Sequence, residues 1–148
     1  IEANGRGYRL LHFGAIRPVA SHPFPARLAH IYRELGALVE RFHPHSVALE
    51  QVFQARNVKS ALQLSQVRGV VQLAAALAGL PVREYSALSV KKSVVGYGQA
   101  EKHQVQRMVQ RMLGLAAAPE PQDASDALAV ALCHLHVETA RLRQSRRT

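Results

Sequence analysis

Three carboxylates stand in this chain at places where side chains of that type do chemistry. Asp123 and Asp126 lie three apart in PEPQDASDALAVALCHLH, where a Pro-rich linker turns into an apolar helix. Residues three apart on a helix share a face, with Cβ atoms roughly 5–6 Å apart, so both carboxylates can point at one target. Capping is the competing reading, because an Asp near a helix N-terminus accepts from free N–H groups and suits the macrodipole. One Asp is fully explained that way; a second, directly before the core run ALAVAL, is explained less well. Glu50 closes the apolar run VALE, where a buried charge is costly unless paired. Either an arginine pairs with it, or it joins the aspartates as a hard oxygen site for Mg2+. In two-metal phosphodiester hydrolysis the ions sit roughly 3.5–4 Å apart, activating water and stabilising the leaving oxygen.

The charge balance fits that chemistry. Nineteen Lys and Arg against ten Asp and Glu give +9 over 148 residues, with a pI near 10.6. An excess of that size points to a polyanionic partner, most simply nucleic acid, unless it is only a solvated basic surface. A positive exterior around a negative pocket is the distribution a metal-dependent nuclease requires. Hydrophobic content of 48% and unbroken periodic patterning argue for a globular protein, not a disordered one. The longest apolar runs, such as VVQLAAALAGL, are too short and interrupted to span a bilayer, and a single cysteine is compatible with the reducing cytoplasm in which the protein is expected. The single cysteine, Cys133, excludes an internal disulfide framework and reads as a small buried residue.

The carboxylates must be positioned by a mixed α/β fold. Asn4-Gly5 is a strong hairpin signal between two strands at the start. PARLAHIYRELGALVERF carries an amphipathic helical pattern that His43-Pro44 ends. Val47 to Glu50 reads as a buried strand, 57–79 as a long helix stopped by Gly79 and Pro81, and 81–86 as another strand. A short helix ending at Gly96, a helix over 100–114, a linker over 116–122 and a last helix over 123–143 follow. This order predicts one central sheet with helices on its faces, chemistry gathering at carboxyl ends of strands and adjoining helix starts. Residues 1–140 form one domain in this reading, and 141–148 a flexible basic tail.

Around Glu50 and along the later helices, polar and basic residues accumulate. Phe53 is either a core edge or an aromatic that stacks on an unpaired base, flanked by Arg56, Asn57 and Lys59 for backbone contacts. Lys91, Lys92 and Lys102, with Gln104 and Gln106, bracket the Gly96-Tyr97-Gly98 turn; singly, each lysine reads equally as a solvated surface charge. His134 and His136 point to different faces of a helix, unlike an i,i+4 metal pair, which leaves His134 a supporting role at most. The GYG turn is too short for a phosphate-binding loop.

The blocks ALEQVFQARNVKSALQLSQVRG, VKKSVVGYGQAEKHQVQRMV and QDASDALAVALCH, in this order and spacing, resemble the RuvC-type Holliday junction resolvases. The resemblance implies a ribonuclease H-like fold, with a mixed sheet flanked by helices. It implies a homodimer that resolves four-way DNA junctions by Mg2+-dependent hydrolysis in recombination and repair. Two Mg2+ per site are implied, with Mn2+ able to substitute, and a branch-migration helicase complex as a further partner. On the matching positions, Glu50, Asp123 and Asp126 correspond to catalytic metal ligands. Lys91 and Lys102 correspond to lysines used on DNA near the scissile phosphate, and Phe53 to an aromatic that contacts junction bases. Arg56, Asn57 and Gln104 join them as DNA-binding candidates, and the helix over 57–79 is implied in the dimer interface. The family's first metal-binding Asp lies on the first, central strand, just upstream of where this sequence begins, so a lost N-terminal strand is expected. The alternative is therefore a non-catalytic junction-binding remnant; a ribonuclease H-like nuclease for another structured nucleic acid is the third reading.

Overall fold

A computed structural model describes residues 1–5, 7–51 and 57–145. The elements run β1 (Glu2–Ala3), β2 (Tyr8–Arg9), α1 (Phe24–Phe42), β3 (Val47–Glu50), α2 (Val58–Leu77), β4 (Val82–Tyr85), α3 (Ala87–Val95), α4 (Lys102–Met112) and α5 (Gln122–Ser145). This is the mixed α/β class that the patterning gave.

Local chemistry sets the boundaries. The hairpin turns at Asn4-Gly5, with Gly5 at φ 77° and the Asn4 N–H donating to the Gly7 carbonyl at 3.1 Å. Glu2 lies opposite Arg9 in the ladder, and the pair adds an ion pair at 2.8 Å. Asn57 opens α2 by accepting from the Ser60 N–H at 2.8 Å, and Ser86 opens α3 by accepting from Ser89 N–H at 3.1 Å. Gly96, at φ 97°, closes α3 in the left-handed region that a side chain resists.

Two expectations need correction. Among the described residues the strands form two two-stranded sheets, β1–β2 and β3–β4, instead of one central sheet. The hairpin ladder is only two residues per strand, and residues 10–23 continue without helix or strand, so nothing widens it. Residues 141–145, expected in a flexible basic tail, instead lie in α5, which continues through Ser145. The N–H of Val47 donates to the Pro81 carbonyl and that of Gln51 to the Tyr85 carbonyl. Both bonds link positions 34 apart in the chain, so β3 and β4 run parallel.

The contacts gather in two compact units. One comprises Ile1–Ala15, Ala48–Gln51 and Glu84–Thr148; the other comprises Ile16–Val47 and Val52–Arg83. In the first, α3, α4 and α5 enclose a core of Val90, Val94, Val105, Val109, Leu128, Leu132 and Cys133. Buried positions on α5 include 124, 125, 128–130 and 132–134, more than one face of a helix, so neighbours cover it on several sides. In the second, α1 packs with α2. Among the described residues, no helix is long and apolar enough to cross a membrane.

Candidate active site

The site is assembled within the first unit. Glu50 is the last residue of β3, and its neighbour Gln51 is pinned by the N–H bond to Tyr85 at 2.8 Å. Asp123 lies in the first turn of α5 and Asp126 one turn on. The Ala124 and Ser125 N–H groups at this helix start both donate to the Pro121 carbonyl, at 2.9 and 3.3 Å. These are the first backbone bonds of the helix itself, and they leave the capping reading of the aspartates as it was.

Glu50, Asp123 and Asp126 line one pocket of about 250 Å³, floored by Ala48, Leu49, Ala127 and Val130. Glu50, Asp126 and Val130 also border an adjoining pocket of about 240 Å³, into which Lys91 and Lys102 are placed. The two recesses thus meet along a pair of carboxylates, acidic on one side and basic on the other. Lys102 Nζ is 3.9 Å from Asp126 Oδ2, an exposed pairing too loose to matter much for stability.

Both shared carboxylates resist ionisation. Burial pushes the Glu50 carboxyl up, the negative charge of Asp126 pushes it further, and Lys102 opposes. Burial also raises Asp126, against the pull of Lys102 and with the push of Asp123. The folded protein therefore binds these protons more tightly than the unfolded chain does. Their stabilising contribution is complete below about pH 4 and falls as pH rises through the raised folded values. Glu50→Gln is accordingly expected to gain stability relative to the parent as pH rises from 4 to 7, in metal-free urea unfolding. A parent-variant difference that is flat or shrinks over that range contradicts this account.

The remaining candidates are distributed differently. Gln104 uses its side-chain oxygen to accept from the Glu101 N–H at 2.8 Å, helping to cap α4. Asn57 belongs to the second unit, where it caps α2. Phe53 and Arg56 lie outside the described residues. Sequence reading did not single out Tyr85 and Ser93. The Tyr85 hydroxyl is hydrogen-bonded to His134 Nδ1 at 2.8 Å, and Ser93 Oγ to His136 Nδ1, also at 2.8 Å. Tyr8 meets the His136 ring edge-on at a 5.5 Å centroid distance. The different faces expected for the two histidines were a signal that each had its own partner; no sequence spacing identified which.

Known proteins with this arrangement of elements are specific. The family model for the crossover junction endodeoxyribonuclease RuvC matches residues 1–134. A protein of that description from Syntrophomonas wolfei is 52% identical over 136 residues, covering 92% of this chain and 79% of the relative. Another, from Chloroflexus aurantiacus, is 48% identical, with 92% and 83% covered. A solved Thermus thermophilus RuvC structure superimposes with a TM-score of 0.82 at 36% identity, over 91% of this chain and 82% of that one. Thermus thermophilus RuvC in complex with a Holliday junction substrate gives a TM-score of 0.86 at 35% identity, with the same coverage. Sequence match, backbone agreement and the α5 acidic turns all lie within the same span, and on them the chain belongs to the RuvC family of crossover junction endodeoxyribonucleases.

Proposed function

We infer that this chain is an endonuclease that resolves four-way DNA junctions by Mg2+-dependent phosphodiester hydrolysis. The observation that carries this reading is the shared wall of Glu50 and Asp126 between an acidic recess and one that holds Lys91 and Lys102. The names of the similar proteins, and the junction complex of the Thermus protein, supply the substrate class.

The donor set suits a hard divalent cation. It consists of carboxylate oxygens, and the burial and repulsion that raise Glu50 and Asp126 are relieved by a cation between them. Among the described residues no group of three or more His, Cys, Asp or Glu is close enough to hold a metal ion alone. Mg2+ does not need such a cage, since it commonly takes one or two carboxylates and completes its shell with water and substrate phosphate. When bound, two Mg2+, or Mn2+ in their place, supply Lewis-acid polarisation of the phosphate and acidification of water. Glu50 and Asp126 fix position from two different elements, while Asp123 adds negative charge on the same helix face. Lys91 and Lys102 hold the phosphate backbone beside the carboxylates and offset the charge that develops on it.

The test is a synthetic four-way junction offered with and without Mg2+. Nicks placed symmetrically in strands of like polarity, lost in chelator, are the expected result. Absent or random nicking overturns it; tight, salt-sensitive junction binding without cleavage in any divalent metal identifies a non-catalytic junction binder instead.

Paired nicks require paired sites, so a homodimer is part of the reading. In the second unit, Val58, Leu62, Leu73 and Leu77 of α2 are all more than half exposed. At about 100° per residue these four fall on one side of the helix, an apolar stripe that suits a second copy. Leu73→Glu is expected to yield monomers in sedimentation velocity with helical content intact, and to uncouple the two nicks. A dimer unaffected by this change would place the interface elsewhere.

A further inference from the structure

Building on the metal-dependent reading of the site, we propose that Tyr85 is a positioning residue that sets the spacing between Glu50 and the acidic turns of α5. It closes β4 and has two roles in one residue. Its backbone carbonyl accepts from the Gln51 N–H at 2.8 Å, which fixes the chain next to Glu50. Its hydroxyl is hydrogen-bonded to His134 Nδ1 at 2.8 Å, which fixes the helix that carries Asp123 and Asp126. The rings add contact, with centroids 5.8 Å apart.

The geometry makes this connection stiff. His134 is only 8% exposed, so water competes poorly for the bond. It follows Asp126 by eight residues, about 12 Å along the axis and about 80° around it. Between them the helix is locked by Leu128, Leu132 and Cys133 in the core, and a close-packed helix moves as a body. A shift at His134 therefore becomes a shift of Asp126 relative to Glu50. Two carboxylates on separate elements hold one cation well only when their separation is maintained to a fraction of an ångström. The bond between Ser93 and His136 tethers the same helix to α3, with Tyr8 against its ring, but does not reach the strand of Glu50. It is a built-in control.

Tyr85→Phe keeps the ring and removes the hydroxyl; His134→Leu removes the other partner. Each is expected to weaken Mg2+ binding, read by calorimetry on the protein without DNA, by about 10–100-fold, the usual loss when support of a metal ligand is removed. The Mg2+ needed for half-maximal nicking should rise in proportion, with junction affinity in Ca2+ unchanged. The double variant should be no worse than either single one. His134→Asn, which keeps a hydrogen-bonding group near the Nδ1 position, should recover most of the loss, and Ser93→Ala should show none. Parental Mg2+ affinity in Tyr85→Phe, or losses that add in the double variant, overturn the proposal. Hydrogen exchange at the Gln51 amide gives a readout independent of metal and of cleavage. If the parent protein binds no Mg2+ and cuts nothing, the functional reading fails, and the exchange still decides this one. Faster exchange in both single variants supports the connection; unchanged exchange rejects it.

Discussion

Asp126→Asn is expected to abolish junction cleavage while leaving the metal-free protein at least as stable at neutral pH. The two effects have one cause. Asp126 is held partly buried beside Glu50 and Asp123, and its carboxyl is raised because the fold disfavours its charge. The amide keeps the shape and removes the desolvation cost, the repulsion by Asp123 and the push of Asp126 on Glu50. Against this stands only the 3.9 Å approach of Lys102, which is exposed and screened. Cleavage, by contrast, loses a charged oxygen donor to the cation. Loss of a mere supporting group typically costs 10–100-fold, so loss of the donor should exceed about 100-fold at saturating Mg2+. The checks are single-turnover nicking and melting temperature with and without Mg2+. Mg2+ should raise the melting temperature of the parent by mass action and hardly move that of the variant. Full activity in Asp126→Asn would remove this residue from the site.

Leu132→Ala carries the largest expected loss of stability. Leu132 has no exposed surface and stands in the middle of the α3–α4–α5 core, with Val109 equally enclosed. Truncation loses the transfer free energy of the removed carbons and leaves a cavity that close-packed neighbours refill poorly, together about 2–5 kcal/mol. For a chain of this size that is a fall of roughly 10 °C in melting temperature. Leu142→Ala on the same helix, where 59% of the side chain is exposed, should stay within about 0.5 kcal/mol. Urea unfolding of the two variants gives the comparison. A small effect at Leu132 would mean that the core is centred elsewhere.

Much of this was legible in the chain itself, and for physical reasons. Val47 to Glu50 is bounded by residues that change periodicity abruptly, and the strand falls on those positions. Gly96 acts through its own backbone, so its helix-ending role needed no tertiary information; the side-chain caps from Asn57 and Ser86 were not read from the sequence. The three carboxylates were legible by type and by strand-end and helix-start position; that all three line one recess depends on how α5 lies against β3. The hydrogen bonds of His134 and His136 join residues more than forty positions apart, beyond any local pattern. The run of charged residues after 140 suggested a flexible tail, yet helix propensity is high for Arg and Leu and α5 simply continues. The paired strands were legible; their division into two ladders was not, because sheet membership is decided by long-range partners.

The thiol of Cys133 turns the core of α5 into a natural probe. It is the single cysteine of the chain, only 1% exposed, with its Sγ 3.8 Å from the Ser89 carbonyl and its acidity reduced by burial. A buried, protonated thiol reacts with an alkylating reagent only while its surroundings are open. Pulsed alkylation would therefore clock the opening of the helix that carries Asp123 and Asp126, with no label introduced and no residue changed. Comparing that clock with Mg2+ or junction DNA present would reveal how far each ligand holds the acidic helix in place, separately from whether any strand is cut.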